Sequence, residues 1–142
     1  MNIDVGPGGY SLVASHYSFN PADAATYYFG AFPAATPGIT AAVARCYIPT
    51  AGTITRISVY ALVGDILGSA QNSTLNFRLN NTTNTQITAT MTYDALTENV
   101  LTTGLSIAVA QGDYFEIQWV TPTWTTNPTV IYQQVVVWIG VP

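Results

Sequence analysis

From residue 42 onward, apolar residues recur at every second position, and this period constrains the chain more than any other feature. Ile57, Val59, Ala61 and Val63 alternate with Arg56, Ser58, Tyr60 and Leu62. Leu75, Phe77 and Leu79 alternate with Asn76, Arg78 and Asn80, and Ile87, Ala89 and Met91 with Thr88, Thr90 and Thr92. Leu105, Ile107 and Val109 follow the same rule, as do Phe115, Ile117 and Trp119 against Tyr114, Glu116 and Gln118. A period of two sends one set of side chains to a core and the other outward, which is the geometry of a strand. The abundance of β-branched and aromatic residues in these runs favours strands as well. The last run, Val130 to Ile139, is apolar at both parities and reads as a strand covered on both faces, by core or by a partner.

Turn chemistry separates the runs: Pro49-Thr50-Ala51-Gly52, Gly64-Asp65, Gly68-Ser69, Asn80-Asn81, Gln111-Gly112-Asp113 and Thr126-Asn127-Pro128. Only residues 93–101 leave room for a helical turn. Short strands at this spacing predict an all-β chain, a jelly-roll-like antiparallel β-sandwich over residues 42–142. Residues 1–41 read differently. Gly6-Pro7-Gly8-Gly9, Asn20-Pro21, Phe32-Pro33 and Thr36-Pro37-Gly38 break regular structure, yet Tyr10, Tyr17, Phe19, Tyr27, Tyr28, Phe29 and Phe32 lie among them. Disordered tails are poor in such rings. The expectation is an irregular N-terminal arm that docks its aromatics on its own β domain or on a neighbour. A strand or two of the same fold is the alternative.

Composition then limits function. Of 142 residues, 49% are hydrophobic and 7% charged; three arginines, no lysine and seven acids give a net charge of −4. An acidic chain without lysine is poorly suited to neutralising a phosphate backbone, so no nucleic-acid partner is expected. A surface so short of charge repels its own copies weakly and resembles the core of a protein interface. That predicts a chain covered in use by sister copies or by a larger particle. The apolar run Val135–Ile139 is far too short to cross a bilayer, and no basic-then-apolar leader precedes it, so neither membrane insertion nor secretion is expected.

Groups for chemistry are few. His16 is the only histidine and has no nucleophile motif beside it. Cys46, the only cysteine, cannot form an internal disulfide and reads as a buried, inert thiol. Asp113 and Glu116, three apart in a strand, fall on opposite faces and cannot act as a carboxylate pair. Zinc ligands are lacking in number, and no glycine-rich phosphate loop stands between a strand and a helix. The expectation is a non-enzyme with no catalytic residue, cofactor or metal. By parity Trp119 points inward, whereas Trp124, in the loop Thr121-Pro122-Thr123-Trp124, is the candidate for contact with a glycan or a neighbour. Tyr27, Tyr28, Phe29 and Phe32 are the candidate partner-contact residues of the arm.

Several segments in this order resemble a β module of tailed-bacteriophage virion proteins. They are Tyr27-Tyr28-Phe29-Gly30, Arg45-Cys46-Tyr47-Ile48-Pro49 with Gly52-Thr53-Ile54, and Asn80-Asn81-Thr82-Thr83. Gly112-Asp113-Tyr114-Phe115-Glu116-Ile117-Gln118-Trp119 follows, then Thr121-Pro122-Thr123-Trp124 and Asn127-Pro128. The resemblance implies a jelly-roll-like sandwich, usually trimeric and without catalysis, and carries no defined site residues across. A fibre protein of this kind has a shaft before the module. A start at Met1 with only a short arm therefore points to a standalone virion subunit. The expected function is a homotrimeric capsid-decorating (cement) protein on the outer head surface, made in the host cytoplasm and contacting the major capsid protein or another virion subunit. The alternative is a receptor- or carbohydrate-binding tip of a tail or fibre.

Overall fold

The computed structural model of the protein describes residues 8–31, 37–64, 71–92 and 97–142, with only the backbone for 89–92. Among the described residues, ten strands and one short 3-10 helix follow in order: β1 (Gly9–Phe19), β2 (Thr26–Phe29), the helix (Ala41–Ala44), β3 (Cys46–Tyr47), β4 (Gly52–Val63) and β5 (Asn72–Leu79). Then come β6 (Thr83–Thr92), β7 (Thr97–Thr102), β8 (Ile107–Val109), β9 (Tyr114–Val120) and β10 (Ile131–Gly140). They form two antiparallel sheets. Sheet A runs β1-β10-β4-β7, with β8 sharing the β7 edge of β4; sheet B runs β2-β9-β5-β6, with β3 sharing the β2 edge of β9. Leaving out the two short strands, the chain passes between the sheets in the winding of a jelly roll. The sandwich expected from the alternation is the one found.

The alternating residues land as their parity requires. Ile57, Val59, Ala61 and Val63 of β4, Leu75 and Phe77 of β5, and Phe115, Ile117 and Trp119 of β9 are all buried between the sheets. Each fully buried large side chain contributes roughly 1.5–3 kcal/mol relative to an exposed one, so these few positions dominate the core. The turns also behave as their residues dictate. Asn80 and Asn81 take successive left-handed conformations (φ 51° and 59°), as a tight hairpin turn between β5 and β6 favours. Gly112 (φ 90°) turns the chain into β9, with Asp113 N–H bonded to the Ala110 carbonyl and the Asp113 carboxylate accepting from Ala110 N–H at 2.8 Å.

Two expectations need correction. The irregular arm over 1–41 is not what the described residues show: Gly9–Phe19 is a long strand of sheet A and Thr26–Phe29 a strand of sheet B. β1 pairs with β10 from Gly9↔Gly140 to Phe19↔Ile131, and Val141 N–H reaches the Gly8 carbonyl. The breakers flank these strands. Glycines 8 and 9 lie at the start of β1, and Asn20-Pro21 follows its end, so alternation survives between them: Leu12, Ala14 and His16 face in, while Ser11, Val13 and Ser15 face out. Second, residues 97–101 are strand rather than helical turn, paired with β4; residues 93–96 of that stretch lie outside those described. Within the single chain, β10 is an inner strand of sheet A with the core on one face and its other face open. Ile131, Gln133, Val135, Val137 and Ile139 are buried, whereas Tyr132 and Val136 are half-buried and Trp138 exposed.

Gly38, between β2 and β3, lies along the β2 edge. Tyr28 and Gly38 exchange two backbone hydrogen bonds of 2.7 and 2.9 Å, which closes an edge that would otherwise invite pairing. Gly30 packs tightly on Ala44: a Cβ on Gly30 would lie 1.4 Å from the Ala44 carbonyl oxygen, so only glycine fits there.

Candidate functional site

The groups that would supply chemistry are held in structural roles. His16 lies in the core, paired across sheet A with Gln133 and stacked on Trp119 of sheet B at 5.5 Å between ring centroids. Gln133 Nε2 approaches His16 Nε2 at 3.0 Å, and His16 Nδ1 lies 2.6 Å from the Tyr17 carbonyl. This network assigns the neutral tautomer with the proton on Nδ1, donated to that carbonyl. Burial lowers the His16 pKa to about 4, with the bond to Tyr17 partly opposing it. A buried ring with both nitrogens engaged has no lone pair or proton to offer a substrate. Cys46 is buried opposite Phe115, and burial pushes its thiol up, away from the reactive thiolate. Among the described residues no three His, Cys, Asp or Glu side chains gather in a metal-holding group, and no helix is long and apolar enough to cross a membrane.

The outer face of sheet B carries a polar cluster that sequence reasoning did not foresee. Glu116, outward by parity as expected, is nonetheless fully buried and lies between Arg78 and Arg45. Arg78 Nε is 3.5 Å from Glu116 Oε1, close enough for ionic attraction, yet neither atom makes a hydrogen bond. Burial therefore raises the Glu116 pKa, against the pull of Arg78 and then Arg45. Tyr28 OH accepts from Arg78 Nη1 at 3.2 Å and Gln118 Nε2 at 3.3 Å, and Gln118 Oε1 accepts from Asn76 Nδ2 at 2.9 Å. The Arg45 guanidinium lies 4.2 Å from the centroid of the Tyr114 ring. Two of the chain's three arginines are thus committed to one carboxylate and two tyrosines. Asp113, at the end of this face, is held below the usual carboxylate range by the Ala110 N–H and the Asn80 side-chain amide.

The outer face of sheet A has the opposite character. Register places Val13, Val136, Ser58 and Leu101 in one row across β1, β10, β4 and β7, and Ser15, Gln134, Tyr60 and Asn99 in the next. Tyr132 pairs with Leu62 on one side of these rows and Trp138 with Arg56 on the other. Val13, Tyr17, Tyr60, Leu101 and Trp138 are all large apolar side chains left exposed, Leu101 and Tyr17 at 60%. Arg56 is the one charged residue in these rows, and its guanidinium lies over the Trp138 ring at 4.4 Å from the centroid. Four strands about 4.8 Å apart and the seven residues from Tyr132 to Trp138 at about 3.4 Å each give a plan area on the order of 450 Å². The apolar part of this area is shared among Val13, Val136, Tyr60, Leu101 and Trp138, with neutral polar side chains between them.

The sequence-derived contact residues lie elsewhere. Tyr27 is buried against Phe19 and Trp119, its hydroxyl accepting from Ala22 N–H at 2.9 Å. Phe29 is buried edge-on to His16 at 4.9 Å. Trp124 is only 5% exposed; its indole N–H donates to the Ala22 carbonyl at 3.2 Å, and its backbone N–H to Asp23 Oδ1 at 3.1 Å. These three are corrected from partner contacts to internal packing, because the Ala22–Ala25 turn needs Trp124 and Thr121 to close it. Tyr28 stays on the surface of sheet B, half-buried in its hydrogen-bonded cluster, and Phe32 lies outside the described residues. The signal for the sheet A face was present in Val130–Ile139, whose apolar residues at both parities exceed what a one-sided core requires.

No family model matches the chain, and no curated protein does. Among solved structures it is similar to the crystal structure of FLHE, with a TM-score of 0.50 and 10% identity over 96% of this chain and 99% of that one. At that identity the likeness concerns the fold alone.

Proposed function

We propose that this chain is a non-enzymatic structural subunit of a bacteriophage particle, a homotrimer that decorates the outer surface of the head and contacts the major capsid protein. The observation that carries the reading is the outer face of sheet A, where exposed Val13, Tyr17, Tyr60, Leu101 and Trp138 stand among neutral polar side chains with a single charge and no acid in the rows. Joined to copies of itself around a threefold axis, such a face gains roughly 25 cal/mol per Å² of apolar area covered, while Gln134, Asn99 and Arg56 need hydrogen-bond partners across the contact. Supporting it is the structural use of His16, Cys46 and Glu116, which leaves no assembled catalytic group among the described residues. The resemblance to phage virion modules supplies the particle, and jelly rolls serve in capsids and lectins alike, so the fold adds only analogy.

The experiment has two parts. Native mass measurement of the purified chain should give a trimer at micromolar concentration, and labelled chain should bind the head of purified particles in electron micrographs. A monomer refutes the trimer, and density at the tail refutes the head. The second reading, a receptor- or glycan-binding tip, is favoured by one observation, the groove at the Trp138 end of sheet A.

A further inference from the structure

At the Trp138 end of the outer face of sheet A lies an open groove of about 590 Å³, lined by Tyr10, Ser11, Thr55, Arg56, Thr103 and Trp138 with the backbone of Gly9 and Gly140. We infer that this groove binds a carboxylate-bearing saccharide, with Arg56 pairing the carboxylate and the Arg56–Trp138 stack receiving the apolar face of the sugar ring. The inference rests on the glycan-binding reading: Arg56 and Trp138 belong to the face that the trimer reading covers, so the groove is open to a ligand in the single chain and closed in that trimer.

Four observations lead there. The volume falls in the range of small-ligand sites, roughly 300–1,000 Å³. The wall joins the Trp138 ring to three small hydroxyl side chains, the pairing a sugar needs: ring C–H groups against a π face, and hydroxyls against neutral donors and acceptors. Arg56 is exposed and makes no hydrogen bond or ion pair among the described residues; its recorded contact is the Trp138 ring. That stack fixes the plane of a fork whose geometry matches a carboxylate. Finally, none of the described residues that line the groove is an acid. A lone arginine among neutral described neighbours complements a single negative charge. A net charge of −4 disfavours a polyphosphate or a nucleic acid, for which one cation is also too few.

A Cβ on the lining residue Gly9 would lie 3.0 Å from the Ile139 carbonyl oxygen, so the wall there is backbone. Trp138 is the exposed member of the three tryptophans, Trp119 and Trp124 being buried, so a change in indole signal at this groove is separable from the core.

The test titrates the full chain with galacturonate and sialyllactose, each bearing one carboxylate, and with neutral maltotriose and sodium acetate at fixed ionic strength, following the Trp138 indole N–H resonance. At least one acidic saccharide should give a saturable shift, with maltotriose at least tenfold weaker and acetate without saturation. Arg56→Gln should lower acidic-saccharide affinity at least tenfold, to the level of maltotriose, and Trp138→Leu, read on the backbone amides of Ser11 and Thr103 because it lacks the indole, should abolish binding. Both positions are exposed, so the amide spectrum of each variant should otherwise match that of the parent. Should a variant fail to fold, the four probes on the parent chain decide alone. The inference is overturned if no acidic saccharide shifts Trp138, if maltotriose binds equally, if acetate reproduces the shift, or if Arg56→Gln binds as the parent does.

Discussion

Acidification offers a sharp test of the core, because the single histidine is buried in it. His16 has an ordinary pKa of 6.5 when exposed and about 4 in the folded chain, lowered by burial. The folded value lies below the unfolded one, so the unfolded state binds the proton first as pH falls. The stability tied to neutral His16 is fully present above pH 6.5, drains away between 6.5 and about 4, and falls no further below that. At about 1.4 kcal/mol per pKa unit, the 2.5-unit difference is worth about 3 kcal/mol, a large share of the roughly 5–15 kcal/mol of a typical domain. Glu116 acts in the opposite sense. Its folded pKa is raised, so the folded state takes up its proton first and stability is gained as pH falls through that value toward 4.5. The two are separated by comparing urea unfolding from pH 7.5 to 4 in the parent and in His16→Gln, which removes the imidazole and keeps Glu116. The parent should lose about 3 kcal/mol relative to the variant across the window, and the His16 Cε1 resonance should titrate near 4. A histidine that titrates near 6.5, or parallel pH curves for the two chains, would refute a neutral His16 locked between Gln133, Tyr17 and Trp119.

Three further outcomes are expected. Gly30→Ala places a methyl group 1.4 Å from the Ala44 carbonyl oxygen, so it should destabilise by about 3 kcal/mol or more in denaturant melts; a change within about 0.5 kcal/mol contradicts the close return to β3. Gln71 accepts from the backbone N–H of Thr125 and Thr126 and donates to the Thr126 carbonyl. Gln71→Ala should therefore cost about 1–3 kcal/mol and speed hydrogen exchange at those two amides, whereas unchanged exchange would remove Gln71 as the anchor of that loop. The Glu116 carboxyl carbon, followed by NMR, should titrate above its ordinary 4.5 and move higher still in Arg78→Gln, because Arg78 opposes the effect of burial. A midpoint below 4.5 would mean that the arginines outweigh burial.

The sequence made the sandwich legible because one period governs both burial and pairing: the parity of Ile57, Phe77 and Trp119 is the parity of the core. The same rule held in β1, where Leu12, Ala14 and His16 alternate with Ser11, Val13 and Ser15, but neighbouring Gly-Pro and Asn-Pro pairs masked it. Breakers mark the ends of strands as readily as their absence, and only pairing with the distant β10 distinguishes the two. Trp124 misled for a related reason. A tryptophan among prolines and threonines reads as exposed until the Ala22–Ala25 turn is known to close over it. The burial of Glu116 was illegible, since nothing local reveals that Arg78, from another strand, and Arg45, beyond a long excursion, converge on one carboxylate. The sheet A face was half legible: surplus apolar residues in Val130–Ile139 signalled an uncovered face, but the row through Val13, Ser58 and Leu101 needs the register of four strands.

The account turns on whether that face is where copies of this chain meet. Sedimentation velocity of the parent and of a Val13→Lys, Leu101→Lys double variant, both at micromolar concentration, tests this directly. Both positions are exposed, so the charges should leave the fold intact while adding two desolvated cations per subunit to any contact there. The account predicts a trimer for the parent and a folded monomer for the variant. A parent that sediments as a monomer, or a variant that remains a trimer, contradicts it.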